Sequence, residues 1–147
     1  MSIEDDVALL ERVPTLRLLG NAALRTLAIG CEQRDFARGK MLFKAGDDAD
    51  AGFVVQRGAF RVSDDSGAEL VVGSGTLIGE LALVVAMPRP STVVALEPSS
   101  VIRIARSLFQ RVLESDPAAA LRLRDEFANR TSQIASDILM AGSKLNT

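Results

Sequence analysis

Nine of the eleven glycines in this 147-residue chain fall between Gly30 and Gly79, and that clustering restricts the fold more than any other feature. Glycine is entropically costly inside regular elements and is favoured where a chain turns with positive φ, so a dense run of glycines cuts the chain into short pieces. The apolar runs shrink to match. Met41-Leu42-Phe43, Phe53-Val54-Val55, Phe60-Arg61-Val62, Leu70-Val71-Val72, Val93-Val94-Ala95 and Val101-Ile102-Arg103-Ile104 have strand length and β-favouring composition. Turn chemistry separates them, at Gly46-Asp47-Asp48, Arg57-Gly58, Asp64-Asp65-Ser66-Gly67 and Glu97-Pro98-Ser99. Residues 33–105 are therefore expected to form an antiparallel roll or barrel, whose closure or covering elements protect its sheet edges.

Helical spacing flanks this region on both sides. Ile3, Val7 and Leu10 predict a short helix that Pro14 closes, and Asn21 reads as the N-cap of an amphipathic helix through Leu24, Leu27 and Ala28 to about Cys31. After Arg106, Leu108, Phe109, Val112 and Leu113 predict another short helix, and Ser115-Asp116-Pro117 restarts a long one with proline in its first turn. The stripe of that last helix runs Leu123, Phe127, Ile134 and Ile138, and is broken by Arg130 and Thr131. The expected organisation is one domain over residues 1–147: N-terminal helices to residue 32, the roll, then C-terminal helices from residue 106. A chain of this length with 48% hydrophobic residues can bury a core of its own.

The absences narrow the chemistry. With no histidine, imidazole acid–base catalysis, Ser-His-Asp and Cys-His nucleophiles and most zinc or iron sites are excluded. The single cysteine, Cys31, can form neither an internal disulfide nor a thiolate cluster; it reads as a packed helix residue, with a reactive thiol as the alternative. The Asp runs at 47, 48, 50 and at 64, 65 lack the spacing of a calcium loop and read as solvated turns. Seventeen basic against nineteen acidic side chains give a net charge of −2, and neither Trp nor Tyr is present, so the chain offers no electrostatic or stacking footprint for nucleic acid. No apolar run approaches bilayer length and residues 1–12 are acidic, so the expectation is a cytoplasmic protein without membrane insertion.

One segment concentrates candidate chemistry: Gly79-Glu80-Leu81-Ala82, followed by Leu83 to Met87 and then Pro88-Arg89-Pro90-Ser91-Thr92. Glycine permits an unusual backbone angle, the next six residues have helix-compatible spacing, and Pro-Arg-Pro holds one cation extended. A short helix whose first turn offers unpaired N–H groups, with Arg89 beside it, is suited to phosphate. Glu80 would repel that phosphate unless it faced another part of the ligand, so a sugar hydroxyl is its sensible partner. Together these groups point to a sugar phosphate; the bland alternative is that Glu80 and Arg89 pair with each other or with solvent.

In the pattern G-E-L-A-L-x4-P-R-x-[SA]-T-V, this segment resembles the phosphate-binding cassette of cyclic-nucleotide-binding domains, as found in the catabolite activator protein and the regulatory subunits of the cyclic-AMP-dependent kinase. Gly39-x2-Leu42-Phe43-x2-Gly46, Phe53-x4-Gly58 and Val62 extend the resemblance into the strands. It implies an α+β, mainly β fold: an eight-stranded antiparallel roll with helices at both ends and a short phosphate-binding helix inserted between strands. It also implies a cyclic AMP or cyclic GMP ligand and no cofactor. Glu80 would contact the ribose 2′-hydroxyl, Arg89 the cyclic phosphate, and amides near Leu81 and Ala82 would add donors. Pro90 departs from the family, which uses the amide of that residue as a phosphate donor; the lost bond is worth roughly 1.5–3 kcal/mol, or about ten- to a hundredfold in affinity. Ser91 or Thr92 can substitute as donor, and the absent hydroxyl at position 90 leans towards cyclic AMP.

In the family the helix after the roll closes over the base, which makes Arg130 a lid candidate; a dimer seam with one polar layer, or plain exposure, are the alternatives. The expected function is a sensor whose C-terminal helix is repositioned by ligand and acts on an effector protein in trans, with a homodimer through residues 117–140 as one route. With Thr147 directly after the last helix, neither a DNA-binding domain nor direct gene regulation is expected; the expectation is either a small protein acting in trans or a regulatory domain of a larger chain such as a channel or transporter. A ligand-blind scaffold or dimerisation module marked by Pro90 is the second reading. Enzymatic turnover is disfavoured, since no general base or metal ligand set accompanies the cassette.

Overall fold

The computed structural model describes residues 2–129. The expected polar break at Arg130-Thr131 and the apolar positions Ile134 and Ile138 lie outside the described residues. Helix α1 (Ile3–Glu11) begins where the Ser2 hydroxyl accepts the Asp5 amide at 3.2 Å, with Glu4, Asp5 and Asp6 in the first turn where the helix dipole favours acids. Pro14 opens helix α2 (Pro14–Arg17) at its first position rather than only closing α1, since its missing N–H costs nothing there. Helix α3 (Asn21–Gly30) is capped by Gly20 at φ 89°, so Asn21 is its first residue and not its N-cap. Cys31 follows α3 half-buried, its thiol donating to Ala28 O at 3.2 Å. Burial, with a smaller contribution from Asp6, pushes that thiol up to about 11; it is protonated at neutral pH, which removes the basis for a reactive thiol.

The roll consists of β1 (Glu32–Phe36), β2 (Met41–Phe43), β3 (Asp48–Ala49), β4 (Ala51–Arg57), β5 (Ala59–Ser63), β6 (Glu69–Gly73), β7 (Leu77–Ile78), β8 (Met87–Pro88), β9 (Thr92–Ala95) and β10 (Ser99–Ala105). Two four-stranded antiparallel sheets, ordered β1-β10-β4-β7 and β2-β9-β5-β6, face each other, and β3 pairs with β8 as a separate ribbon. The α+β, mainly β expectation holds; the count of eight strands does not, because ten are present among the described residues. The four strands outside the apolar runs are β1, a polar sheet edge, and β3, β7 and β8, which at two residues each are too short to show a period of two.

Strand alternation divides the core in two. Phe53, Val55, Phe60, Val93, Ala95 and Val101 point between the sheets. Val54, Ile102 and Ile104, on the opposite faces of β4 and β10, meet Leu10, Leu16, Leu24 and Leu27 of the N-terminal helices and Phe109 and Val112 of α4 (Arg106–Ser115). Strand β4 is therefore buried on both faces, which is why Phe53-Val54-Val55 reads as a continuous apolar run. The last helix, α5, is described from residue 117 to residue 129; the Asp116 carboxylate accepts the Ala119 amide at 3.2 Å, and Arg122 Nε donates to Leu18 O at 2.7 Å. No helix among the described residues is long and apolar enough to cross a membrane.

The Asp runs act locally. Asp64 accepts the amides of Ser66 and Ala68 and the Ser66 hydroxyl, which hold its carboxyl below the usual range, while Gly67 completes the turn at φ 87°. Asp47 accepts the Lys44 amide, and Asp50 faces Arg103 at 3.2 Å. At the β4–β5 turn, Gly58 has φ 91°, and a Cβ there would collide with the side chain and backbone of Ser99. Gly58→Ala is therefore expected to lower unfolding stability by about 1–3 kcal/mol, read by urea denaturation; an unchanged midpoint would show that this turn relaxes freely.

Candidate ligand-binding site

The β3–β8 ribbon fixes the backbone at Arg89. Arg89 N donates to Asp47 O at 2.7 Å and Gly46 N donates to Arg89 O at 2.8 Å, so residues far apart in sequence clasp the Arg89 backbone on both its N–H and its C=O. Its side chain is 5% exposed and enters the roll, where Nη2 donates to Ala51 O at 2.8 Å. The guanidinium carbon lies 4.1 Å from the centroid of the Phe43 ring and 5.4 Å from that of Phe53, a geometry in which the ring quadrupoles attract the cation. Nη1 has no hydrogen-bond partner among the described residues. Burial lowers the pKa of the group from its ordinary value, with Asp50 the largest opposing influence, but guanidinium stays protonated at any physiological pH.

Gly79 is required beside it. Its φ of 76° is left-handed, and a Cβ at this position would sit 2.5 Å from Arg89 Nη1. The chain then makes a single 3-10 turn, Glu80–Leu83, rather than a six-residue helix. Ala82 N closes that turn on Gly79 O at 3.1 Å, so of the two amides expected as donors this one is already engaged, whereas Leu81 lies in the first turn, where a helix leaves amides without internal partners. Arg106, the first residue of α4, donates from Nη1 to Ala82 O (3.3 Å) and Val85 O (3.2 Å) at the far end of the turn and to Ala49 O (2.8 Å). The cassette is thus tied directly to the start of the C-terminal helices.

These groups surround a cavity of about 540 Å³. Of the residues singled out from sequence, Gly79, Glu80, Leu81, Ala82, Arg89, Pro90 and Ser91 line it. Thr92 does not; its hydroxyl accepts the Ala45 amide at 2.9 Å and holds the β2–β3 loop. Arg130 lies outside the described residues, and α5 reaches the cavity through Phe127. Glu80 and Arg89 are not an ion pair: the Glu80 carboxylate accepts from the Thr15 hydroxyl at 3.2 Å, while Arg89 meets Ala51 O and the aromatic rings. Sequence reasoning missed Phe43, Ala49, Val62, Ile78, Met87 and Val93 on the cavity wall. Alternation along the strands made them candidates for the roll interior, but a filled core and a lined cavity have the same pattern.

An apolar cavity with one buried, half-satisfied cation and one carboxylate suits a small organic anion that also carries a hydroxyl. Residues 33–116 match the family model of the cyclic nucleotide-binding domain, and the chain belongs to that family. A cyclic nucleotide-gated potassium channel of Mesorhizobium japonicum is 30% identical over 128 residues, 87% of this chain and 36% of the channel. An NTE family protein of Mycobacterium tuberculosis is 33% identical over 109 residues, 74% of this chain. The chain thus spans about a third of the channel's length and 19% of the NTE family protein's. Among solved structures, the N-terminal domain of a transcriptional regulator from Streptomyces coelicolor A3(2) superposes with a TM-score of 0.80 at 29% identity, covering 88% of this chain and 94% of that one. A cyclic nucleotide-binding-like protein from Brucella abortus gives 0.67 at 34% identity, covering 75% and 98%.

A structural role and a ligand role for Arg89 predict opposite stabilities. Arg89→Met keeps apolar contact with Phe43 and removes a buried charge that has no carboxylate partner among the described residues, so urea unfolding without ligand should show equal or higher stability. A loss of more than about 2 kcal/mol would assign Arg89 to the fold instead.

Proposed function

We propose that this chain is a cyclic-nucleotide sensor that prefers cyclic AMP, with Arg89 binding the cyclic phosphate and Glu80 the ribose 2′-hydroxyl. The observation that carries this reading is the buried Nη1 of Arg89, which has no hydrogen-bond partner among the described residues and stands at the wall of a cavity that also holds Glu80. A phosphate oxygen would satisfy that donor with a charge-assisted bond. The Leu81 amide and the Ser91 hydroxyl are further donors within the lining, and the apolar remainder suits a purine.

Pro90 lines the cavity without an N–H to give, so the site has fewer phosphate donors than the family pattern implies. This is the one observation that favours a ligand-blind scaffold. Against it, retention of a buried cation that the fold does not pair is costly unless something pairs it.

The proposed output is a shift in the population of C-terminal helix positions. Arg106 joins the cassette turn to α4, and Phe127 of α5 stands over the cavity, so tightening of the cassette on a phosphate favours one placement of those helices. The shift is bounded by the difference in ligand affinity between the two placements. Its receiver is a partner protein or a second copy meeting residues 117–140.

Isothermal titration tests the assignment. Cyclic AMP should bind more tightly than cyclic GMP, and Arg89→Ala should cost about 2–5 kcal/mol of binding free energy; undiminished affinity in that variant would refute the phosphate role. Pro90→Ala restores an amide and should tighten cyclic AMP binding by about tenfold or more; an unchanged or weaker affinity would show that Ser91 already supplies the donor.

A further inference from the structure

We infer that Phe43 is a positioning residue for Arg89: the guanidinium lies over its ring, and that contact keeps Nη1 turned into the cavity before a ligand arrives. The inference rests on the cyclic-nucleotide reading above and concerns the phosphate end of the same site.

An arginine side chain is long and loses much rotamer freedom when it is fixed, so an anion that met it loose would bind more weakly. Arg89 is fixed by two contacts. Nη2 donates to Ala51 O at 2.8 Å, and the guanidinium carbon stands 4.1 Å from the Phe43 ring centroid. The carbonyl bond by itself leaves the group free to turn about it; the ring removes that freedom and attracts the charge. Phe53, at 5.4 Å, is the more distant ring. Phe43 is in turn held, since its backbone pairs with Val93 of β9 and its ring meets that of Phe53 at 5.9 Å with a tilt of 38°. The pull that this contact opposes is also present. Burial lowers the pKa of Arg89, and Asp50 and then Asp47 act against that lowering. Both carboxylates are exposed, and a guanidinium drawn out to either would take Nη1 away from the cavity.

This role differs from that of a cavity wall, which Phe43 also is. A wall acts through its shape. The hold on a cation acts through the negative face of the ring, and fluorine atoms on the ring withdraw that charge with little change of shape. With the face weakened, Arg89 spends part of its time outside the binding-competent placement, and the apparent affinity falls with the fraction lost.

The test is titration of cyclic AMP into the wild-type chain and into chains in which Phe43 is replaced in turn by mono-, tri- and pentafluorophenylalanine. Affinity should fall in that order, by about fivefold or more at the last. Phe43→Leu, which keeps an apolar wall and has no ring, should fall as far. Pentafluorophenylalanine in place of Phe60, fully buried in the core between the sheets, should leave the affinity within about twofold. Affinities that stay level or rise with fluorination, whatever Phe43→Leu does, would make Phe43 a wall only and overturn the inference while the parent reading stands. An equal loss from the Phe60 replacement would trace the effect to fluorination of the roll, with the same consequence. Failure of the wild-type chain to bind cyclic AMP, or undiminished binding by Arg89→Ala, overturns the parent reading and the role of Phe43 with it.

Discussion

The site depends on a single buried guanidinium that the fold positions without neutralising. Arg89 is held by one carbonyl, Ala51 O, by the faces of Phe43 and Phe53, and by the backbone clasp of the β3–β8 ribbon. None of these partners is a carboxylate. The rings contribute attraction through their quadrupoles and exclude water, which strengthens any charge interaction made at Nη1. A carboxylate in the same place would stabilise the apo fold and compete with a phosphate. The glycine at position 79 follows from this arrangement, because a side chain there would occupy the space of Nη1.

Around that cation the remaining elements take complementary parts. The two sheets leave a cavity instead of a filled core at one end of the roll, and its apolar wall comes from the same alternation that packs Phe60 and Val101 deeper in. The cassette turn has handles at both ends: Glu80 is bonded to Thr15 of α2, and the carbonyls of Ala82 and Val85 to Arg106 of α4. The turn is thereby bonded directly to both helical regions, which is the geometry that the proposed link between occupancy and helix position requires.

Much of this was legible in the sequence, for reasons that can be named. The glycines marked the turns because seven of them do adopt positive φ. Gly79, Glu80, Arg89 and Pro90 were recognisable because the cassette is a contiguous segment whose chemistry is carried locally. The short strands escaped notice because two residues carry no periodicity, and Asp48 read as turn although its pairing with Pro88 is part of what fixes Arg89. Phe43 and Phe127 were invisible as cavity-lining residues for a related reason: each lies far in sequence from the cassette, and an aromatic at such a position has the same local pattern whether it packs a core or lines a cavity. The assignment of Asn21 as a cap failed for a smaller reason, since Gly20 supplies the needed backbone angle one residue earlier.

The central claim is that the unpaired nitrogen of Arg89 is reserved for a cyclic phosphate. The most direct test is a crystal structure of the chain with cyclic AMP. The account predicts an exocyclic phosphate oxygen about 2.8 Å from Arg89 Nη1, with the guanidinium still against Phe43 and its bond to Ala51 O intact. A nucleotide bound elsewhere on the roll, or bound in the cavity with its phosphate turned away from Arg89, would contradict it.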